Sequence, residues 1–424
     1  MRNRPTPVLL ASSVLLSSVL LSSVLAGCSD SKSTATSSTT STTTTVEPTT
    51  GTGSTGTGST GSDGTSTFVI PQELLDRVAN SGLTTVDVDY PPQPETVDWP
   101  TTNWVRADLP SGVDASTVNS IVDTAFTGGG DGDVIDAILV VQGGKLVLER
   151  YNGWDPQARH NSWSMAKSMT QAMVGILERD NKIDVFQPAQ AAEWADPADP
   201  RHNITVDQLL RMSSGLEWEE SYADADGDVL TVLGERGKAD RAGYTARKPL
   251  EAEPDTKFEY STGTADIIGR EVGQIVGLGA PYEAWIQKEL FDPLGIPGAD
   301  HQFDETGNTN SGSWINLRPE DFARFGLLFL RDGVWDGTRI LPEGWVDYSR
   351  LPTPTSPQRE YGAQWWLHGN PAYPEVFWAS GFNGQSITVM PKQDTVIVVL
   401  STTSTDRDSK ARDALMDAFA GLAR

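Results

Sequence analysis

Residues 161–178 read Asn161-Ser-Trp-Ser164-Met-Ala-Lys167-Ser-Met-Thr-Gln-Ala-Met-Val-Gly-Ile-Leu-Glu178. Apolar residues recur in this stretch at helical spacing, which predicts a helix that begins at about Ser164. Ser164 and Lys167 then lie one turn apart on the same face, within side-chain reach of each other. The stretch therefore brings a hydroxyl and an amine together at the positive end of a helix.

This pairing is suited to nucleophilic chemistry. A serine hydroxyl becomes a nucleophile at neutral pH only when a base lies beside it. Lys167 meets that need in its neutral form, which burial and the helix end both favour because they lower the pKa of the ammonium group. The structural alternative is that Ser164 only caps the helix and Lys167 is solvated. Ser-x-x-Lys is a weak pattern alone, since it recurs by chance at Ser29-Asp-Ser-Lys32.

Strand patterns occur near both ends of the folded chain. Residues 137–141 and 146–150 read as strands joined at Gly143-Gly144, a hairpin signal. A second hairpin, 385–390 with 395–401, turns at Pro391-Lys-Gln-Asp394. The residues between the hairpins are richer in helical periods. This order predicts an α/β fold of the α+β type, with one antiparallel sheet built from both chain ends and a mainly helical lobe inserted at about 168–370.

Two further helical periods predict the helices that flank this sheet. Asp114 precedes the first, at 115–126, as a capping residue. The second runs from about 405 to 422, at the end of the chain.

The first 67 residues are predicted to be a targeting segment and a tether. Arg2 and Arg4 precede an uncharged stretch at 8–25, and Leu25-Ala-Gly-Cys28 resembles the lipobox of bacterial lipoproteins. In this interpretation residues 1–27 are a signal peptide, and lipidated Cys28 anchors the protein to a membrane outside the cytoplasm. The alternative is an uncleaved membrane anchor with the same orientation. Residues 28–67, rich in Ser, Thr and Gly, form a flexible tether, and the folded domain spans 68–424.

Composition excludes several classes of function. The net charge is -25, with 57 acidic and 32 basic residues, so no basic surplus exists to bind nucleic acid. The four histidines do not lie at metal-ligand spacing, and neither a metal nor an organic cofactor is expected. The acidic loop 224–235 lacks the glycine that a calcium loop needs, because Val229 occupies that position.

From about Ala137 to its end, the chain resembles the family of class C β-lactamases, D-alanyl-D-alanine carboxypeptidases, related esterases and nylon-oligomer hydrolases. Four segments carry the resemblance, in the family's order. Ser162-Trp-Ser-Met-Ala-Lys-Ser168 resembles the nucleophile motif, and Ile204-Thr-Val-Asp-Gln-Leu-Leu-Arg-Met-Ser-Ser-Gly-Leu216 resembles a segment of the helical lobe. Phe258-Glu-Tyr-Ser-Thr262 is the counterpart of the Tyr-x-Asn motif, and Ala379-Ser-Gly381 is the counterpart of the Lys-Thr-Gly motif.

The resemblance implies a β-lactamase/transpeptidase-like fold and a serine hydrolase that forms an acyl-enzyme on Ser164. It implies that Tyr260 shares proton transfer with Lys167, through a phenol pKa lowered by the nearby cation. The backbone N–H groups of Ser164 and Phe382 are implied as the oxyanion hole. The substrate-binding candidates are Tyr222, Trp378, Ser380 and Gly381.

Two departures from the family pattern bear on the substrate. Thr262 stands where the family often has Asn, and Ala379 stands where β-lactamases and peptidases carry Lys or His to hold a substrate carboxylate. Losing that cation removes a charge-assisted contact worth about 1.5 to 3 kcal/mol. We therefore expect a small neutral ester or amide as substrate. The alternatives are a β-lactamase or D-alanyl-D-alanine carboxypeptidase that acts on a β-lactam-like substrate, and a surface binding or sensor module without turnover.

Overall fold

A single antiparallel sheet organises the computed structural model, which describes residues 67–81, 90–127, 135–357, 360–367, 372–402 and 408–422. The strands, in chain order, are β1 (Ile135–Gln142), β2 (Lys145–Tyr151), β3 (Asp300–His301), β4 (Ile315–Asn316), β5 (Val334–Trp335), β6 (Thr338–Arg339), β7 (Trp366–Leu367), β8 (Phe377–Gly381), β9 (Gln385–Met390) and β10 (Thr395–Ser401). Six of them form the sheet, in the order β2-β1-β10-β9-β8-β7, and the rest pair two by two.

The helices, in chain order, are α1 (Gln72–Asn80), α2 (Ala115–Thr127), α3 (Met165–Arg179), α4 (Val206–Leu210), α5 (Asp228–Leu233), α6 (Arg241–Ala246), α7 (Thr262–Val276), α8 (Ala280–Ile286), α9 (Asp292–Leu294), α10 (Pro319–Leu330), α11 (Trp345–Arg350) and α12 (Asp408–Phe419). None of the helices in the described ranges is both long enough and apolar enough to span a bilayer.

Both predicted hairpins are confirmed. β1 pairs with β2 and β10 pairs with β9, each antiparallel, and β1 lies directly beside β10. Gly143 and Gly144 have φ of 61° and 82°, the left-handed region that glycine enters without strain. The sheet is thus built from both ends of the folded chain, as the strand patterns predict.

The two faces of the sheet bury different sets of side chains. Alternate residues of β1 and β10, such as Ile138 and Val399, pack with α2 and α12. The residues between them, such as Leu139 and Val398, face α3 and α10. Because neighbouring side chains of a strand point to opposite faces, the apolar run Val396 to Leu400 of β10 can supply both cores.

Most of the inserted segment forms a helical lobe around α7, which contacts α3, α4, α5, α6 and α8. One element of the inserted range differs: α10 packs on β1, β9 and β10 and belongs to the sheet layers. Ser164 precedes α3, which contacts both α7 and β8. The predicted nucleophile therefore lies where the lobe meets the sheet.

The predicted helix ends differ from the observed ones. The first flanking helix extends to Thr127, one residue beyond its predicted end. The terminal helix begins at Asp408 and ends at Phe419, so residues 420–422 do not continue it as predicted. Positions 405–407 lie outside the described residues, as do the predicted signal peptide, Cys28 and all of the predicted tether except Thr67.

Candidate active site

The backbone before α3 places Ser164 at the start of that helix. Trp163 has φ of 43°, an unfavourable conformation for a bulky side chain that costs about 1 to 3 kcal/mol. Ser164 itself has helical φ and ψ and is only 8% exposed. Such a sharp turn fixes the position of the hydroxyl against the lobe.

Lys167 is buried, with 1% of its surface exposed, and its Nζ meets three oxygens. The distances from Nζ are 3.0 Å to Ser164 Oγ, 3.0 Å to Thr262 Oγ1 and 2.8 Å to the Gly312 carbonyl. Burial lowers the pKa of Lys167 to about 8, although the carboxylates of Glu220 and Asp266 oppose the shift. A neutral lysine is therefore accessible close to physiological pH.

The hydrogen bonds of Thr262 decide where the lone pair of neutral Lys167 points. The Thr262 hydroxyl donates to Glu220 Oε1, so it can only accept from Lys167, and the Gly312 carbonyl can only accept. A neutral amine has two N–H groups and one lone pair. Both N–H groups are used by Thr262 and Gly312, which leaves the lone pair for the proton of Ser164.

Glu220 is fixed by several donors. Its Oε2 accepts from the Thr262 backbone N–H at 2.9 Å and from Trp218 Nε1 at 2.6 Å, and its Oε1 accepts from the Tyr222 hydroxyl at 3.4 Å. Glu220 therefore orients the Thr262 hydroxyl toward itself, which leaves the Thr262 oxygen to accept from Lys167.

The segment that includes Gly312 braces the turn before Ser164 from the other side. Ser162 Oγ accepts from the Ile315 N–H at 3.0 Å, and the Ser162 N–H donates to Asn316 Oδ1 at 3.0 Å. There is no space for a side chain at Gly312, because an added Cβ would lie 2.7 Å from the Thr262 carbonyl oxygen. This close approach holds the Gly312 carbonyl against Lys167.

Tyr260 lies beside Lys167 with its ring centroid 5.0 Å from Nζ. The predicted lowering of its pKa is wrong. Burial raises the pKa of Tyr260 well above its ordinary value, and the neighbouring Tyr361 and Glu220 add to the shift, while a side-chain hydrogen bond to Ser164 opposes it. The phenol is thus protonated at rest, so it cannot take a proton, and the proton that it holds can pass only to a strongly basic group.

Aromatic side chains border the approach to Ser164. The rings of Tyr222 and Phe382 stack with centroids 4.7 Å apart, and Phe382 meets the edge of Trp163 at 5.4 Å. Burial raises the pKa of Tyr222, and the carboxylate of Glu220, to which its hydroxyl donates at 3.4 Å, adds to the shift. Phe382 is 39% exposed, unusual for so apolar a residue.

Gly381 allows β8 to approach the nucleophile. A Cβ at this position would lie 2.6 Å from the Ser162 carbonyl oxygen, a distance that real side chains do not tolerate. The following residue, Phe382, therefore has its backbone beside the turn that carries Ser164.

Two predicted substrate-binding side chains are not brought to this cluster. On the neighbouring strand β9, Trp378 pairs with Thr388 and Ser380 pairs with Ser386. Ile387 lies between these two partners and faces α3, so the partners face the other side of the sheet. The ring of Trp378 lies 4.6 Å from the guanidinium of Arg412 on α12. The register thus turns both side chains to the face that α12 covers, which corrects the expectation that they contact substrate.

Ala379 lies on the face of β8 that points toward α3 and is 1% exposed. Its methyl group packs within the apolar core, so no cation is supplied from this position. Among the described residues, no group of three or more His, Cys, Asp or Glu side chains is arranged to hold a metal ion.

Sequence reasoning missed Glu220, Gly312 and Asp266. Glu220 follows another glutamate in a polar loop, a pattern typical of a solvated surface. Gly312 contributes a carbonyl, which no side-chain pattern reveals. Asp266 follows Thr262 by four residues, the spacing of one helical face, and this is the one signal that could have identified it.

The chain is similar to known proteins in sequence and in fold. The family model described as Beta-lactamase matches residues 132–421. The 6-aminohexanoate-dimer hydrolase of Paenarthrobacter ureafaciens is 28% identical over 286 residues, which are 63% of this chain and 72% of the relative.

Two solved structures share the fold. A Bacillus anthracis protein assigned as a 6-aminohexanoate-dimer hydrolase superposes with a TM-score of 0.59 at 24% identity, over 71% of this chain and 81% of the other. A family VIII carboxylesterase superposes with a TM-score of 0.57 at 15% identity, over 74% of this chain and 99% of the other.

Proposed function

The chain belongs to the β-lactamase family, and we propose that it is a serine hydrolase that cleaves carboxylic ester or amide bonds through an acyl-enzyme on Ser164. The observation that carries the proposal is the contact of Ser164 Oγ with the buried Nζ of Lys167 at 3.0 Å. A buried lysine with a pKa of about 8 is the base that a serine nucleophile needs.

The first step is acylation. Neutral Lys167 takes the hydroxyl proton of Ser164 while Oγ forms a bond to the substrate carbonyl carbon. The carbonyl oxygen becomes an oxyanion, which the backbone N–H groups of Ser164 and Phe382 stabilise. Thr262 and Gly312 keep the amine of Lys167 aligned throughout, because each accepts one of its N–H groups.

The second step expels the leaving group. Tyr260 is protonated at rest, so it supplies the proton to the departing alcohol or amine, and Lys167 returns a proton to Tyr260. Water then attacks the acyl-enzyme, with the same groups removing its proton and protonating Ser164. The products are a carboxylic acid and an alcohol or amine.

Ala379 indicates the substrate class. A substrate carboxylate would meet an apolar core position here instead of a cation. The aromatic pair Tyr222 and Phe382 favours apolar acyl or alcohol groups. Neutral esters and amides therefore suit this site better than anionic β-lactams.

A turnover panel tests the proposal. The fragment that begins at Phe68 is assayed with p-nitrophenyl butyrate, with a 6-aminohexanoate dimer, the substrate in the name of the P. ureafaciens relative, and with nitrocefin. We expect ester or amide turnover that Ser164→Ala abolishes. Faster turnover of nitrocefin would identify a β-lactamase instead. A single burst of product without turnover would identify an acyl-binding sensor.

We also propose that lipidated Cys28 tethers the enzyme to a membrane outside the cytoplasm. The basic residues Arg2 and Arg4, the uncharged stretch at 8–25 and the small residues before Cys28 support this proposal. Growth of a bacterial host with an alkyne fatty acid should label the full chain but not its Cys28→Ser variant. Equal labelling of both chains would contradict the proposal.

A further inference from the structure

We infer that Asp266 is a positioning residue for Lys167. The buried carboxylate of Asp266 holds the Gly312 segment in place and sets the pH at which the lysine becomes neutral. The inference rests on the proposed role of Lys167 as the base. Asp266 does not touch Ser164 or the reacting atoms, so it acts through its neighbours.

A chain of two hydrogen bonds joins the two side chains. Asp266 Oδ1 accepts from the Gly312 N–H at 3.3 Å, and the Gly312 carbonyl accepts from Lys167 Nζ at 2.8 Å. Gly312 also packs against Thr262, the other acceptor of Lys167. Asp266 and Thr262 lie one turn apart on α7, so a single helix fixes both acceptors of the lysine.

The carboxylate of Asp266 is buried with little compensation. Only 1% of the residue is exposed, and Oδ2 has no hydrogen-bond partner among the described residues. A buried, incompletely paired carboxylate is costly to the fold, and α7 carries two of them, Asp266 and Glu271. Of these two, Asp266 is joined to Lys167 through Gly312, so its charge can act on the lysine.

Charged groups face this pair from several elements. Lys167 approaches Asp266 from α3, Arg241 from α6 and Asp304 from the segment between β3 and β4, while Glu220 is linked to Lys167 through the Thr262 hydroxyl. Burial raises the pKa of Asp266 to about 7, against the lowering effects of Arg241 and Lys167. Its charge therefore changes near the pH at which Lys167 loses its own.

The sign of the coupling follows from these charges. An ionised Asp266 stabilises the ammonium form of Lys167 and so raises the pKa of the lysine. Removing the charge should make Lys167 neutral at a lower pH. Activity that depends on neutral Lys167 should then begin at a lower pH as well.

The variant Asp266→Asn tests this, because it keeps an acceptor for Gly312 and removes the charge. We expect the acidic limb of the kcat/KM profile for p-nitrophenyl butyrate to move to lower pH by about 1 unit. The Lys167 titration, followed by the ¹³Cε signal in the folded protein without substrate, should move in the same direction. Asp266→Ser, which also removes the charge, is the second variant in case the first does not fold.

Glu271→Gln is the matched control. Glu271 is a buried carboxylate on the same helix, and it accepts from the Gln190 N–H at 2.9 Å, away from Lys167. Its substitution should change the melting temperature without moving either titration. Unmoved titrations in the Asp266 variants would overturn the inference. A wild-type profile without a Lys167-dependent limb would instead overturn the proposed function, and the NMR titration would still decide the role of Asp266.

Discussion

Thr262 connects the two parts of the site that handle protons. Its hydroxyl accepts from Lys167 at 3.0 Å and donates to Glu220. An Asn amide, common at this position in the family, carries separate donor and acceptor atoms, whereas a hydroxyl combines both in one oxygen. Thr262 and Glu220 together therefore take the place of the amide, and they determine the direction of the lone pair of Lys167.

Substitution of Thr262 tests this role. Thr262→Val keeps the shape of the side chain but removes both hydrogen bonds, so Lys167 can turn its lone pair away from Ser164. We expect kcat for p-nitrophenyl butyrate to fall at least about 10-fold with KM little changed. Thr262→Ser retains the hydroxyl and should keep most of the activity. Equal losses in both variants would assign the effect to packing.

The pH dependence of the reaction should report Lys167. Its pKa is lowered to about 8, and only the neutral form can take the proton of Ser164. Hence kcat/KM should fall about tenfold per pH unit below about 8 and level off above it. A plateau that extends down to pH 6 would show that Lys167 is not the base. Buffers of constant ionic strength are needed for this measurement.

Individual residues of the site differ in how far the sequence reveals them. Ser164 and Lys167 are predictable because both lie on one turn of one helix. Glu220 and Gly312 are not, because they meet Lys167 or Thr262 only through contacts between distant parts of the chain. The pKa direction expected for Tyr260 is wrong because burial, which only the fold determines, outweighs the nearby cation.

At the scale of secondary structure, the hairpins β1–β2 and β9–β10 follow from alternating patterns and turn residues. The orientation of β8 does not. A period of two shows that Trp378 and Ala379 face opposite sides, but not which side carries the site. The answer depends on which face α3 covers and which face α12 covers, and the sequence does not show this. The expectation that the side chains of Trp378 and Ser380 face the site is wrong for that reason.

A substitution of Gly381, the last residue of β8, tests the proposed oxyanion hole. In Gly381→Ala the new methyl group would clash with the Ser162 carbonyl, and β8 must move away from Ser164. The Phe382 N–H then leaves the oxyanion position, so kcat should fall about 100-fold, as expected for the loss of one donor. Gly421→Ala, where a Cβ meets no atom within 4 Å, is the control and should be neutral.

At the scale of the whole molecule, charge should select substrates. The chain carries a net charge of -25, and Ala379 supplies no cation to offset it at the site. An anionic ester such as p-nitrophenyl hydrogen succinate should therefore have a lower kcat/KM than p-nitrophenyl butyrate. Added salt should narrow the gap because it screens the repulsion. A faster reaction with the anionic ester would point to a cationic subsite and contradict this account.

We propose Ser164 as the nucleophile, and the intact mass of the protein after treatment with a fluorophosphonate probe tests this assignment. Ser168→Ala is the matched control, since Ser168 lies one turn further along α3 and its hydroxyl donates to the Gln364 carbonyl at 2.7 Å. We predict that wild type and Ser168→Ala each gain one phosphonyl group and that Ser164→Ala gains none. Equal labelling of Ser164→Ala, or no labelling of the wild type, would contradict the account.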